Sequence, residues 1–370
     1  MSVYITSTGA FLPGPPVGND EMEDILGYVD GKKSRLKRRI LKANGILTRH
    51  YAIDKNHDTL WSATDMGVLA AQQCLERSSL SSGQVKMLSC ATTPGDMVIP
   101  GFGSMVQAGL DIPEVELHTT HGICSSSSMA IKAAFNNIRV GDQNNALVVV
   151  SELASRLFKN TRYEAAGGSA AMNFNAEFLR WMLSDGAGAL LLEDKPRGKC
   201  FRIDWMRSFS HADSFPVCMG IGSTTDVNDK RTWQDFATYA EAEAHGALLI
   251  RQDIRLLEHI VKLGVDGALR LIEEGLLDTS KLDHLLCHYS SHHFKSRIYD
   301  LLDMAGAKID EQKWYSNLYT RGNTGSASIL IMLDEFLRED RAKVGDTMVC
   351  MVPESGRFNV AYMHLTMVEA

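Results

Sequence analysis

The chain has 370 residues, of which 45% are hydrophobic and 22% charged, ordinary values for a globular protein with a sizeable core. The formal net charge of −7 argues against a dedicated nucleic-acid-binding protein, which would carry a basic face. The first residues lack a basic segment followed by an apolar one, and no apolar run approaches the roughly 20 residues that span a bilayer. The composition therefore predicts a cytoplasmic protein that neither binds nucleic acid nor inserts into a membrane.

In the first half of the chain, short apolar runs at residues 3–7, 85–91 and 146–151 predict strands. Apolar residues recur at helical spacing from 130 to 138, and Gly141 ends that pattern as a helix C-terminal glycine would. Cys124 therefore lies close to the N-terminus of a helix. Unpaired N–H groups and the positive end of the helix dipole favour a thiolate there, which makes Cys124 a candidate nucleophile. The alternative is a buried cysteine in a serine-rich helix cap.

The chain contains seven cysteines, an odd number at wide spacing and without a Cys-x-x-Cys pair. This pattern argues against a disulfide framework or a zinc ribbon. Most of these cysteines stand in apolar runs and are interpreted as small buried residues. A protein of a reducing compartment is predicted.

The second half repeats this organisation. Patterns at residues 246–274, 294–304 and 325–338 predict helices, 285–288 a strand, and 347–352 with 358–365 a terminal hairpin. Strands that alternate with helices indicate a buried, largely parallel sheet covered on both faces. The clearest polar, turn-rich break lies near residue 195, so we predict two α/β halves, residues 1–195 and 196–370.

A nucleophilic cysteine needs a proton shuttle, and His288 is the candidate because it ends an apolar strand, where ligands bind in parallel sheets. His284, His288 and His292 are spaced by four, which on a helix could indicate metal ligands. The strand pattern and the absence of nearby acidic residues in sequence argue against that site, and no metal is expected.

Asn323 lies in a glycine-rich loop that opens a helix. It could be a plain N-cap, or its amide could project into a cleft and bind a thioester carbonyl beside His288. The residues alone leave both interpretations open.

Taken together, these motifs resemble the β-ketoacyl-acyl-carrier-protein synthase III family of the thiolase superfamily. The matching segments follow one another along the chain: NGILTR from Asn44, TTPGD from Thr92, the surroundings of Cys124, SELASR from Ser151, DGAGA from Asp185, His288 at the histidine of the family's HQAN, and Asn323 in GNTGSAS.

The resemblance implies two similar βαβαβαββ halves in five layers, α-β-α-β-α, and a homodimer. It also implies a Cys124–His288–Asn323 centre for Claisen-type condensation. Cys124 would accept an acyl group from coenzyme A or an acyl carrier protein, with no other cofactor, and His288 and Asn323 would stabilise the charge that develops on the second substrate.

Two segments depart from the family pattern. HQAN is replaced by His288-Tyr-Ser-Ser, and the glycine-rich loop near the C-terminus is replaced by Glu-Ser355-Gly356-Arg357-Phe. Ser355 or Gly356 would then supply an oxyanion-hole N–H beside that of Cys124. Together with NDEM at residues 19–22, these departures look like the ketosynthases of dialkylresorcinol and stilbene pathways in secondary metabolism. Those enzymes join a β-ketoacyl thioester to a second acyl thioester and cyclise the product to a cyclohexanedione.

Residues 32–39 form a dense basic segment on an acidic protein. It could be a solvated face, or Arg38, Arg39 and Arg49 could receive the phosphates of coenzyme A or an acidic carrier protein. Phe158 is expected to wall the acyl tunnel or to lie in the core.

Two further expectations concern charged residues. Arg357 is expected to contact substrate. Glu152 could assist cyclisation as a base, but a structural role is the favoured interpretation.

Three other functions stay open. The protein could transfer the acyl group to an alcohol or amine without forming a carbon–carbon bond. It could be a non-catalytic partner in a heterodimer, although the intact Cys-His-Asn set argues against this. A type III polyketide synthase fits the Tyr-Ser-Ser after His288 poorly.

Overall fold

The computed structural model describes residues 1–170, 172–224 and 228–370. In these ranges the strands are β1 (Val3–Phe11), β2 (Val17–Gly18), β3 (Thr48–Arg49), β4 (Met87–Thr92), β5 (Glu116–His121), β6 (Asn145–Glu152), β7 (Gly186–Glu193), β8 (Lys199–Ser210), β9 (Met219–Gly220), β10 (Arg251–Gln252), β11 (His284–Cys287), β12 (Trp314–Tyr315), β13 (Thr347–Glu354) and β14 (Asn359–Glu369).

The α-helices of the same ranges are α1 (Met22–Leu26), α2 (Lys37–Asn44), α3 (Ala63–Glu76), α4 (Phe102–Gly109), α5 (Ser126–Val140), α6 (Asn160–Ala165), α7 (Phe174–Glu177), α8 (Tyr239–Ala244), α9 (Leu257–Glu273), α10 (His292–Met304), α11 (Leu318–Arg321) and α12 (Ser328–Arg338). None of these helices combines the length and the apolar character of a bilayer span.

The main sheet has the strand order β12-β11-β13-β14-β8-β1-β7-β6-β4-β5. Its two ends are parallel, since β4 pairs in parallel with β5 and β6, and β11 with β12 and β13. The strands between them pair antiparallel, including β1 with β8. The prediction of a largely parallel sheet is therefore correct only for the two ends.

Helices cover the two halves of this sheet in layers. The buried residues of α3 and α4 pack on the β1–β7–β6–β4 half, and those of α9 and α10 pack on the half with β11, β13 and β14. Helices α5 and α12 share one core with strands from both halves. The order is thus helix, sheet, helix, sheet, helix, as the resemblance implied.

Most predicted elements agree with the structure to within a few residues. The helix predicted after Cys124 is α5, and its C-cap Gly141 adopts the left-handed conformation, with φ 85°. The helix predicted over 246–274 is wrong in its first part, because β10 precedes α9. Strand β8 was not predicted, although polar and apolar residues alternate over residues 201–204 as they do in a strand with one buried face.

The polar break near residue 195 falls between β7 and β8. Since β1 of the first half pairs with β8 of the second, the two halves share a continuous sheet. The division into residues 1–195 and 196–370 stays a prediction.

Candidate active site

Cys124 lies in the turn between β5 and α5 and is buried, with 8% of its surface exposed. The serines that follow it satisfy the backbone of this turn. Ser126 donates to the carbonyl of Ile123 through its N–H at 3.0 Å and its hydroxyl at 2.7 Å, and the Ser127 hydroxyl donates to the Cys124 carbonyl at 3.1 Å. Among the described residues, no serine hydroxyl caps the free N–H groups of α5, since these hydroxyls donate to carbonyls, but the contacts fix the backbone that carries the thiol.

The Cys124 side chain faces an apolar cavity that Asn323 also lines. Most of the other lining residues are aliphatic or aromatic and come from both halves of the chain; they include Phe178, Met182, Ile250, Ile260, Phe294 and Ile298. An apolar lining of this kind suits a hydrocarbon chain whose carbonyl end meets the few polar groups around the thiol.

His288 lies directly after β11, where its N–H donates to the carbonyl of Met351 at 2.9 Å. The residue is 4% exposed, and its Nε2 has no hydrogen-bond partner among the described residues. It lines a second, smaller cavity, which shares Tyr289 and Ser290 as walls with the cavity at Cys124. The structure thus brings Cys124 and Asn323 into one cavity and His288 into the adjoining one.

Ser290, between the two cavities, has a φ of 51°. A residue other than glycine is strained in this left-handed region, and such strain persists where the surroundings hold the backbone. Burial also lowers the pKa of His288 to about 4, so its imidazole is neutral at neutral pH.

The backbone of Asn323 forms hydrogen bonds with the residues on either side of Leu183. Its N–H donates to the Met182 carbonyl at 3.2 Å, and its carbonyl accepts from the Ser184 N–H at 2.8 Å. The side-chain Oδ1 accepts from the N–H of Gly325 at 3.0 Å, a local turn contact, whereas Thr324 is the N-cap of the short 3₁₀ helix that follows. Because Oδ1 takes part in this turn, the amide offers its Nδ2 donors to a ligand.

Glu152, at the end of β6, also lines the larger cavity and is 3% exposed. Its carboxylate accepts hydrogen bonds from the Thr93 N–H at 3.2 Å, the Thr93 hydroxyl at 2.7 Å and the Ser326 hydroxyl. Burial raises its pKa to about 7, although these hydrogen bonds oppose the shift. Glu152 therefore links the two halves of the chain and can exchange a proton near neutral pH.

Asp185, the first residue of the DGAGA motif, has a structural role. Its carboxylate accepts from the N–H of Ala52 at 2.7 Å and of Ser155 at 2.9 Å. Burial raises its pKa to about 6. The motif thus fastens the backbone around the site rather than facing the cavity.

Of the two loop residues predicted for the oxyanion hole, Ser355 and Gly356, only the first lines the cavity. Ser355 lines the cavity, whereas the Gly356 carbonyl accepts the N–H of Cys218 at 2.9 Å and Gly356 is not among the lining residues. The N–H groups of Ile123 and Ser125, on either side of Cys124, both donate to Glu354. Glu354 was not predicted as a site residue. Its one signal in the sequence is that it opens the segment that replaces the family's glycine-rich loop.

The sequence predicted surroundings that favour a Cys124 thiolate, whereas the structure places Cys124 in surroundings that disfavour it. Burial raises the pKa of Cys124 well above its ordinary value, and the charges of Glu354 and then Glu152 raise it further. A helix N-terminus alone would favour the thiolate, but here two carboxylates oppose it.

Two expected substrate contacts are corrected by burial. Arg49 is fully buried and donates to Asn19 at 2.7 Å and to the Trp181 carbonyl at 3.5 Å, so it cannot reach a ligand outside the core. Phe158 is also fully buried, in a cluster with Tyr163 and Trp181, and does not line the cavity; Phe178 does.

The three other arginines are exposed. Arg357 lies at the surface, where its Nε donates to the Phe215 carbonyl at 3.0 Å, and it is not among the cavity residues. Arg38 and Arg39 are exposed on α2. Helix α2 packs on the segment Leu179–Trp181, and Leu179 lines the cavity, so these two arginines stand above one of its walls.

The histidines spaced by four do not share a helix face. His284 is on β11 and contacts Asp346 at 3.0 Å, whereas His292 begins α10 and stacks on Tyr319 at 3.7 Å between ring centres. Over the described ranges, no group of three or more His, Cys, Asp or Glu residues is arranged to hold a metal ion.

Comparison with known proteins matches both halves. Residues 50–197 match the N-terminal domain of beta-ketoacyl synthase, and residues 272–356 match the C-terminal domain of 3-oxoacyl-[acyl-carrier-protein] synthase III. The beta-ketoacyl-[acyl-carrier-protein] synthase III of Paracoccus denitrificans is 26% identical over 355 residues, which cover 93% of each protein.

Solved structures show the same architecture. AbyA1, a tetronic acid condensing enzyme, has a TM-score of 0.78 at 19% identity and covers 98% of this chain and 99% of its own. OleA from Xanthomonas campestris, solved with lauric acid and lauroyl-CoA, has a TM-score of 0.77 at 18% identity and covers 99% of both chains. The five-layer fold predicted from the motifs is therefore confirmed.

Proposed function

We propose that this chain, which is similar to β-ketoacyl-[acyl-carrier-protein] synthase III over most of its length, joins two acyl groups, delivered as thioesters, through an acyl intermediate on Cys124. One observation carries the proposal: Cys124 and Asn323 line the same apolar cavity. An apolar lining suits an acyl chain, and OleA, which shares the fold, was solved with lauroyl-CoA.

In the first step the sulfur of Cys124 attacks the thioester carbonyl. The new carbon–sulfur bond forms as the bond to the donor sulfur breaks, and the thiol proton leaves with the donor thiol. The tetrahedral oxyanion needs donors fixed in advance, and the N–H of Cys124 and the loop with Ser355 are the groups that line the thiol. The product is an acyl-enzyme.

In the second step another acyl thioester becomes an enolate when its α-carbon loses carbon dioxide or gives a proton to the Glu152 carboxylate, which lines the cavity. The enolate carbon attacks the acyl carbonyl on Cys124 and the carbon–sulfur bond breaks. The Cys124 sulfur takes up that proton, or one from solvent after decarboxylation, and a β-ketoacyl thioester leaves. The neutral His288 imidazole, whose Nε2 lacks a partner in the described ranges, and the Asn323 Nδ2 are the donors proposed for the enolate oxygen.

A narrower form of the proposal adds cyclisation of a β-ketoacyl-derived product to a cyclohexanedione. The His288-Tyr-Ser-Ser segment supports it, and Glu152 supplies a carboxyl group that titrates near neutral pH at the cavity wall. Transfer of the acyl group to an alcohol or amine stays the alternative.

The donors proposed are acyl-coenzyme A and acyl carrier protein, both of which are anionic. The exposed Arg38 and Arg39 on α2 supply a positive surface above the cavity wall, although the protein as a whole is acidic. All seven cysteines are free, which suits the reducing cytoplasm.

We also propose a homodimer in which β5, the last strand at one edge of the main sheet, meets the same strand of a second copy. Beside this edge the segment with Val98 and Ile99, each 79% exposed, leads into α4, where the Gly103 N–H donates to Thr119 of β5 at 3.2 Å. An exposed strand edge beside apolar side chains suits self-association. Sedimentation equilibrium tests this, and a monomer at every concentration would refute it.

The proposed reaction is tested by incubating the enzyme with a β-ketoacyl thioester and a panel of second acyl thioesters, followed by mass identification of the products. Products whose mass joins both acyl groups support condensation, and a further loss of water or thiol without hydrolysis indicates cyclisation. Esters or amides of added alcohols or amines would instead favour the alternative.

A further inference from the structure

The carboxylate of Glu354 lies directly behind the nucleophile. Glu354 ends β13, in the second half of the chain, and is 8% exposed. Its Oε2 accepts hydrogen bonds from the Ser125 N–H at 3.0 Å, the Ser125 hydroxyl at 2.6 Å and the Ile123 N–H at 3.3 Å. These two N–H groups flank Cys124, so one carboxylate oxygen holds both sides of the residue that carries the thiol.

The surrounding contacts leave this carboxylate little freedom. Asn359, which pairs with Glu354 across the β13–β14 hairpin, donates from Nδ2 to the Ser125 hydroxyl at 2.9 Å. A Cβ added at Gly356 would stand 2.7 Å from Ile123 Cδ1 and 3.2 Å from Glu354 Oε1. The hairpin and the nucleophile turn therefore pack without space between them, and movement of one displaces the other.

The charge of Glu354 acts against ionisation of the thiol. Helix α5 has 15 residues, and the free N–H groups at its start would stabilise an anion such as a thiolate. Glu354 already occupies this position, and a second negative charge beside it is disfavoured. In agreement, burial raises the pKa of Cys124, and the Glu354 charge is the next largest cause.

We propose that Glu354 is a positioning residue that fixes Cys124 at the start of α5 and keeps its sulfur a neutral thiol until an acyl thioester is bound. The inference rests on the proposed role of Cys124 as nucleophile. The N–H of Cys124 stands between the two that Glu354 holds, so the carboxylate orients the predicted oxyanion donor as well as the sulfur. Since the thiolate is the species that alkylating agents attack, the empty enzyme is protected from them.

The experiment measures the rate of alkylation of Cys124 by iodoacetamide against pH, by peptide mass, in the full chain. Glu354→Gln keeps an oxygen acceptor for Ser125 and removes the charge. We expect the pH midpoint to fall by about one unit and the rate at neutral pH to rise about tenfold. Glu339→Gln removes an exposed carboxylate that contacts only the surface Arg341 and is the matched control, with an expected midpoint equal to that of the wild type.

An unchanged midpoint in a folded Glu354→Gln protein overturns the inference, because a purely structural carboxylate would alter stability without moving the titration. If that variant does not fold, the wild type still decides. The difference in ultraviolet thiolate absorbance between wild type and Cys124→Ala should titrate above the ordinary value of 9.0 for a cysteine, and a midpoint below it refutes the inference.

Failure of the proposed function and failure of the role of Glu354 give different experimental results. If the wild type takes up no acyl group on Cys124 from any thioester, the function fails even where the alkylation midpoint moves with Glu354→Gln. If the wild type is acylated and the midpoint does not move, only the role of Glu354 fails.

Discussion

The Cys124 and His288 sides of the site shift the pKa of their titratable groups in opposite directions. On the Cys124 side, burial and the carboxylates of Glu354 and Glu152 raise the pKa of the thiol. On the His288 side, burial lowers the pKa of the imidazole to about 4. Both shifts favour the neutral form of the side chain. A thiolate–imidazolium ion pair would need the thiol to be the stronger acid, and these shifts favour a neutral thiol and a neutral imidazole instead.

Removal of the thiol is expected to have the largest effect on acyl loading. Cys124→Ala should abolish acyl loading, a loss of more than about 10³-fold, because Cys124 is the cysteine among the residues that line the cavity in the described ranges. Intact-protein mass after incubation with an acyl thioester measures loading. Cys200→Ser, on β8 outside the cavity, is the matched control and should load as the wild type does. Full loading of Cys124→Ala at a single site would assign the chemistry to another residue.

Removal of the imidazole should separate the two steps. His288→Ala should retain acyl loading and slow condensation by about 10²-fold, since a neutral imidazole stabilises the enolate rather than ionising the thiol in advance. Loading by mass and product formation by chromatography are measured on the same samples. An equal loss of both steps would mean that His288 also takes the proton from Cys124.

The raised pKa of Glu152 can be tested through the pH dependence of the free energy of unfolding. The pKa of Glu152 is raised from 4.5 to about 7 by burial, so the folded state holds its proton more tightly than the unfolded state does. The stability that this proton contributes is complete below about pH 4.5 and is lost as the pH rises through about 7. Glu152→Gln cannot ionise, and its free energy of unfolding should fall less over that interval, by about 3 kcal/mol.

Urea unfolding at both ends of this pH interval measures the difference, and any constant loss from the substitution cancels. Glu339→Gln, at an exposed position, should leave the pH dependence unchanged. Equal pH slopes in wild type and Glu152→Gln would show that the carboxyl titrates normally in the folded protein.

The smallest effect on catalysis is expected from the two exposed arginines of α2. Arg38→Glu together with Arg39→Glu should raise the KM for an acyl-carrier-protein thioester about fivefold at low ionic strength, with kcat unchanged. Added salt should shrink the difference, because exposed charges are screened. Lys195→Glu together with Lys343→Glu, both exposed elsewhere, makes the same change in net charge and is the control. An effect that persists at high salt would point to a direct contact rather than to steering.

The sequence predicted the parts of this site that local patterns determine. The helix after Cys124, its end at Gly141 and the position of His288 after a strand follow from periodicity and turn residues within a few positions of each. The five-layer fold followed from the family resemblance.

The parts that failed depend on contacts between distant residues. Glu354 and Ser125 are 229 positions apart, so no local pattern could place a carboxylate against the nucleophile turn and reverse the expected effect on the thiol. Arg49 was expected to receive coenzyme A phosphates or a carrier protein, but the fold buries it against Asn19 and Trp181. Burial of one residue by remote segments is a tertiary property that spacing does not encode.

The central claim is that an acyl group on Cys124 is joined to a second acyl group, and a single-turnover experiment tests it most directly. Enzyme loaded with an isotopically labelled acyl group is freed of excess thioester and mixed with a β-ketoacyl or malonyl thioester. The account predicts that Cys124 returns to its free mass while the label appears in a product bonded carbon to carbon with the second group. Release of the label as a free acid, ester or amide, with no joined product, would contradict it.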